Sequence, residues 1–216
     1  MTHTDRNRPQ NKLKRWELAL LLGVALAALL GVWLGGQQTA LADKVIRLHV
    51  IANSDSEADQ ALKLQVRDRI LAEAGDLFAQ GLSREEAEAA IIARLPELAA
   101  AGADVVGEEG YAYGVTASLE QEVWFPTKTY TDFALPAGDY TALRVVIGDG
   151  AGQNWWCVVF PPLCLGSVTE TVAETAAAGG FDEDEISLIT GENEGYVVKF
   201  KAMELWDQFQ DWLKQL

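Results

Sequence analysis

The segment Leu18–Gly36, LALLLGVALAALLGVWLGG, carries no charged residue and limits the rest of the chain more than any other stretch. As a helix it would span about 28 Å at about 1.5 Å per residue, close to the hydrocarbon thickness of about 30 Å. It has no polar face, so it does not suit a helix buried on one side of a soluble domain. Arg6, Arg8, Lys12, Lys14 and Arg15 precede it, against only Asp5 and Glu17. Such a flank stays in the cytoplasm and sends the following residues across. The expected division is a basic cytoplasmic tail over 1–17, a signal peptide or transmembrane anchor over 18–36, a linker over 37–44 and an extracytoplasmic domain over 45–216. Ala40-Leu41-Ala42 is a small-x-small pattern that offers a cleavage site after Ala42. Signal peptide and retained anchor both fit.

Charge narrows the partners. The chain has 17 Lys and Arg against 32 Asp and Glu; five and two of these lie in residues 1–17, leaving 12 against 30, or −18, from Leu18 onward. A domain of that sign repels phosphate backbones, which argues against nucleic acid, and anionic lipid headgroups are disfavoured for the same reason.

Val45, Ile46, Leu48, Val50 and Ile51 form a near-continuous apolar run of strand length. Asn53-Ser54-Asp55-Ser56 ends it with turn and cap chemistry, and Ser56 with Asp59 resembles a capping box using the shorter acid. A helix to about Gln80 follows, with Leu62, Val66, Ile70, Ala74 and Leu77 on one stripe and Asp59, Lys63 and Arg67 on a solvated face. Ser83 and Glu86 cap a second helix running toward Ala101, with Pro96 weakening its end. Beyond Gly102 the pattern becomes β. YAYGVTASLEQEVWFP alternates, and DYTALRVVIGDG and NWWCVVF are further strands joined by GDGAGQ in the manner of a hairpin. Phe181–Gly195 reads as loop, YVVKFK as a last strand and Met203–Leu216 as an apolar-faced helix. The fold class is α+β: one strand, two helices, an antiparallel sheet and a C-terminal helix, in one domain behind the membrane segment.

Chemistry-bearing residues are sparse. His49 and Cys157 make a formal thiol–imidazole pair, with Asn154 or Asn53 available to orient the ring, but the local signature of a cysteine hydrolase is missing. One histidine and two cysteines lack metal-ligand spacing, and Asp182–Glu185 lacks the alternating ligands of a calcium loop. GDGAGQ has two glycines of a nucleotide fingerprint and no helix pattern after it. These patterns indicate no metal and no cofactor. Cys157 and Cys164 are equidistant from Phe160-Pro161, so an even turn there would oppose them, and an oxidising compartment would close them into a disulfide. Free thiols are the alternative. Trp155 and Trp156 fall on opposite faces of their strand, one toward the core and one free to anchor a partner.

The stretches LHVIANSDSEADQALKLQVRD, FPTKTY and LPAGDYTALRVVIGDGAGQNWWCVVFPPLC, behind a membrane segment, resemble the stage II sporulation protein R family of endospore formers. The resemblance runs from about Val45 to Cys164. It implies a signalling protein, not an enzyme, made in the forespore and exported into the space between forespore and mother cell. Its implied partner is a membrane-embedded protease, stage II sporulation protein GA, which then processes pro-sigma-E. The motif positions carried over are His49, Asn53, Ser54, Asp55, Asp59, Gln60, Lys63, Arg67, Asp68, Asn154, Trp155, Trp156, Cys157 and Cys164. An exported cysteine hydrolase and a structural envelope module are the other readings.

Overall fold

The structure is a computed structural model that describes residues 15–78, 82–164 and 172–190. Helix α1 (Arg15–Ala42) leads into strand β1 (Ile46–Ile51), which is buried at all six positions. Then come α2 (Glu57–Phe78), α3 (Arg84–Glu108), β2 (Val115–Phe125), the short pair β3 (Lys128–Thr129) and β4 (Ala134–Leu135), and the long strands β5 (Gly138–Ile147) and β6 (Asn154–Phe160). Two helices follow, α4 (Val172–Ala178) and α5 (Glu183–Thr190).

The main sheet has the order β2-β5-β1-β6. β1 is therefore central, which is why its sequence is a continuous apolar run. The α+β class holds, but the sheet is mixed rather than antiparallel, because β1 pairs parallel with β5 and antiparallel with β6. The chain leaves β1 through α2 and α3, and a parallel neighbour requires a crossover of that length. GDGAGQ consequently does not close a hairpin between adjacent strands: β1 lies between β5 and β6, giving its buried residues a partner on each edge.

Two cores flank the sheet. On one face Ile46, Leu48 and Val50 meet Leu62, Val66 and Ile70 of α2 and Ile91, Leu98 and Val105 of α3. Fully burying one such side chain is favourable by about 1.5–3 kcal/mol. The Ser83 and Glu86 capping box starts α3 as expected, but the helix passes Pro96 and ends at Glu108. Apolar contacts on both sides of the proline outweigh its one missing hydrogen bond. On the other face Val45, Tyr140, Ala142 and Val158 pack with Leu41, Phe125, Leu135 and Ile189.

Two other expectations are corrected. The acidic run expected to be loop begins α5, where the Glu185 amide donates to Asp182 Oδ1 and the Asp182 amide to Glu185 Oε2, each at 2.8 Å. Buried Leu188 and Ile189 then hold that helix down. Cys164 lies in a turn after β6, and the residue opposite Cys157 is Leu48 of β1, so the two cysteines are not cross-strand partners; the disulfide joins strand to turn across a Cα separation of 6.3 Å. The expected last strand and C-terminal helix lie outside the described residues.

Candidate partner-binding site

The sheet end where β1 and β5 finish and β6 begins is closed by a polar knot. Asp59, in the first turn of α2, is 4% exposed and points back at the preceding turn. Its carboxylate accepts from Asn53 Nδ2 at 2.9 Å and from Ser54 Oγ at 2.5 Å. These bonds, Ser54 first, hold its carboxyl below the usual range. The Ser56 box forms only in part. The Asp59 amide donates to Ser56 Oγ at 3.1 Å, whereas the Ser56 amide turns to Ser54 Oγ at 3.2 Å.

The same turn grips the Gly148–Gln153 loop. Gly152 N donates to Ala52 O at 2.9 Å, Ala151 N to Asn53 O at 3.1 Å, Asp149 N to Asn53 Oδ1 at 3.0 Å and Gln153 N to Asp55 Oδ1 at 2.7 Å. Lys63, 5% exposed, donates to Gln153 O at 3.0 Å and Gln60 Oε1 at 2.6 Å; Gln60 Nε2 donates to Ser54 O at 2.8 Å. Burial lowers the pKa of the Lys63 ammonium. Six motif residues thus form one unit. The expected solvated face of Asp59, Lys63 and Arg67 is overturned at its first two members, which are buried and bond the turn side chains and the loop backbone respectively.

Beside the knot β6 offers one tryptophan to each face. The Arg67 guanidinium, ion-paired to Asp68 at 2.7 Å, lies 4.8 Å from the Trp155 ring centroid. On the other face Trp156 stacks on His49 at 6.1 Å, with Lys128 Nζ 4.7 Å above its ring. Both tryptophans are half-buried, so neither is a core residue with an exposed twin; Asn154 opens the strand and is exposed.

Strand register separates the thiol from the imidazole. His49 pairs with Trp156 and Cys157 with Leu48, so the two side chains leave opposite faces of the sheet. Cys157 sits in the helix-side core, bonded to Cys164. The pair a cysteine hydrolase needs does not form. Burial lowers the His49 pKa, opposed by nearby Asn154, and its ring meets the Phe125 edge at 5.8 Å.

Sequence reasoning passed over Arg47. It is fully buried on the His49 face, its guanidinium 4.1 Å from the Phe125 centroid and 4.8 Å from that of Tyr140. Arg47 Nη2 donates to Tyr130 Oη at 3.0 Å, and that hydroxyl donates to Trp156 O at 3.2 Å. Burial raises the Tyr130 pKa, and Arg47 works against it. A basic residue in an apolar strand reads as solvent-facing; the available signal was the aromatic content of FPTKTY and GDY downstream.

All fourteen motif positions fall between His49 and Cys164, and residues 42–170 match the family described as Stage II sporulation protein R (spore_II_R). The chain belongs to that family. A curated relative, Stage II sporulation protein R of Bacillus subtilis (strain 168), is 40% identical over 129 residues, 60% of this chain. The match spans 57% of that relative's own length. No solved structure matches the chain. The family segment of this stage II sporulation protein R homologue holds the whole main sheet and the knot, and leaves α4 and α5 outside.

Proposed function

We propose that this chain is an exported signalling protein of endospore formation that activates a membrane-embedded protease, stage II sporulation protein GA, which then processes pro-sigma-E. It acts from the forespore into the space between forespore and mother cell, and the uncharged Leu18–Gly36 run behind a basic flank supports that direction. The observation that carries the reading is the joining of family motif residues into one buttressed sheet end. Asn53, Ser54, Asp55, Asp59, Gln60 and Lys63 fix the backbone there, and Arg67, Trp155, Trp156 and Asn154 stand beside it with exposed surface. A half-buried aromatic pair next to a rigid polar loop is the composition of an interface anchor. The test co-produces this chain, the protease and pro-sigma-E in a non-sporulating host. Processing should require this chain and fall when Trp155 and Trp156 are both replaced by alanine in protein that still folds. Full processing without this chain would refute the assignment.

A further inference from the structure

Helix α1 does two jobs without a break between them. Its apolar part packs on nothing in the domain: Leu20, Val24, Leu29 and Val32 are all exposed, as the residues of a membrane span are. Its last turn is domain core. Leu41 and Ala42 are buried with Val45, Phe125 and Tyr140, and the buried Gln38 amide donates to the Ala137 carbonyl. The sheet is fitted to this turn, because a Cβ at Gly138 would overlap the Gln38 side chain. Gln38, Leu41 and Ala42, within the stretch expected to be linker and cleavage site, are thus packed into the domain.

We propose that α1 is retained as a membrane anchor and that the domain sits directly on the bilayer surface, with Trp124 in the headgroup layer. From Gly36 to Ala42 the helix rises about 9 Å, against a headgroup layer of about 5–8 Å per side, so the docked turn has no slack between lipid and core. Trp124 is the independent observation. It is 58% exposed and pairs with Asp139, while its neighbour Phe125 pairs with Gly138, the residue seated on Gln38. An exposed indole beside the anchor's exit suits the membrane interface. The acidic domain brings no electrostatic attraction to lipid, so the span itself holds it down. The knot lies at the other end of β1, about 20 Å along a six-residue strand, and is carried at the end of the sheet remote from the docked turn.

The proposal goes beyond the signalling reading and is tested apart from it. Full-length protein with a C-terminal tag is produced in a bacterial host, fractionated and weighed intact. The expected product is uncleaved and stays in the membrane through an alkaline carbonate wash. A soluble product beginning at Asp43 with the melting temperature of the full chain would overturn retention. For the seating, Trp124→Cys and Asp149→Cys are each labelled with a thiol fluorophore in zwitterionic nanodiscs, Cys157 and Cys164 being bonded to each other. Headgroup-nitroxide lipid should quench the label at 124 several-fold more than the label at 149; equal quenching would overturn the orientation. Export is read separately by a compartment-specific reporter after Leu216, so a cytosolic result there refutes the signalling reading without touching these two measurements.

Discussion

Gly152→Ala should damage the candidate site through sterics alone. A Cβ at Gly152 would lie 2.6 Å from the Ser54 carbonyl carbon and 2.9 Å from Ala52 Cβ, and it would overlap the Ser54 carbonyl oxygen. Most of those neighbours are backbone, so no rotamer change relieves the overlap. The loop must move outward from the turn, pulling on the bonds of Gly152 N to Ala52 O and Gln153 N to Asp55 Oδ1. Overpacking of this kind costs about 1–3 kcal/mol, and each broken hydrogen bond about 1 kcal/mol, giving about 2–5 kcal/mol together. For a domain of this size that is a fall in melting temperature of about 5–15 °C. Gly107→Ala is the control: the same methyl, inside α3, meets nothing within 4 Å. There alanine should stabilise by about 0.5–1 kcal/mol through helix propensity. Thermal unfolding of the full chain in nanodiscs, followed by tryptophan fluorescence, reads both. An unchanged melting temperature for Gly152→Ala, or equal losses for the two variants, would refute the reasoning.

Leu41→Ala should destabilise by about 2–5 kcal/mol, as for a buried leucine, and urea unfolding measures it; a near-zero change would mean the turn is not core. Cys157→Ser should cost about 2.5 kcal/mol for an eight-residue loop, yet leave signalling intact in whatever protein folds. Inert but folded Cys157→Ser beside active Cys164→Ser would instead point to a working thiol. Acid should act in two separate windows. Burial holds His49 below the ordinary imidazole value of about 6.5, so the unfolded chain takes up that proton first, and stability falls as pH drops below about 6.5 until the folded ring also protonates. Asp59 is depressed by its hydrogen bonds, so its contribution is present above about 3.9 and is lost as pH falls through its lower folded value. His49→Gln should flatten only the upper window and Asp59→Asn only the lower in unfolding curves taken across pH; a variant that leaves its own window unchanged would refute its assignment.

Local signals were legible wherever one residue pattern decides one element. The apolar run of β1, the Ser83 and Glu86 box, the α2 stripe and all seven residues of β6 read directly, because strand and helix periods and caps are properties of neighbouring residues. Pairing was not legible. GDGAGQ looks like a hairpin turn, and only the third party β1, a hundred residues earlier, shows why it cannot be one. Asp59 and Lys63 make the same point at the site. Their spacing is that of an exposed helix ion pair, yet Asp59 is taken up by the Asn53 and Ser54 side chains of the preceding turn, and Lys63 by the Gln153 carbonyl of a loop distant in sequence.

Register carries the deepest consequence. His49 and Cys157 are chemically a matched pair, and Leu48 instead of His49 opposite Cys157 is a shift of one residue. Because side chains alternate across a strand, that single step sends thiol and imidazole to opposite faces, whatever their chemistry would prefer. The same alternation gives Trp155 to Arg67 and Trp156 to His49 and Lys128, so β6 presents an aromatic–cation contact on each face of one sheet edge. A partner approaching that edge next to the knot would meet both rings, each with a cation over it. Replacing Arg67 or Lys128 by methionine should therefore weaken partner activation less than removing both tryptophans, since each cation only holds an indole in place through a contact of about 0.5–1 kcal/mol. Processing assays on Arg67→Met, Lys128→Met and the double tryptophan variant give the order. A cation variant more damaging than the loss of both indoles would move the contact surface from the rings to the charges.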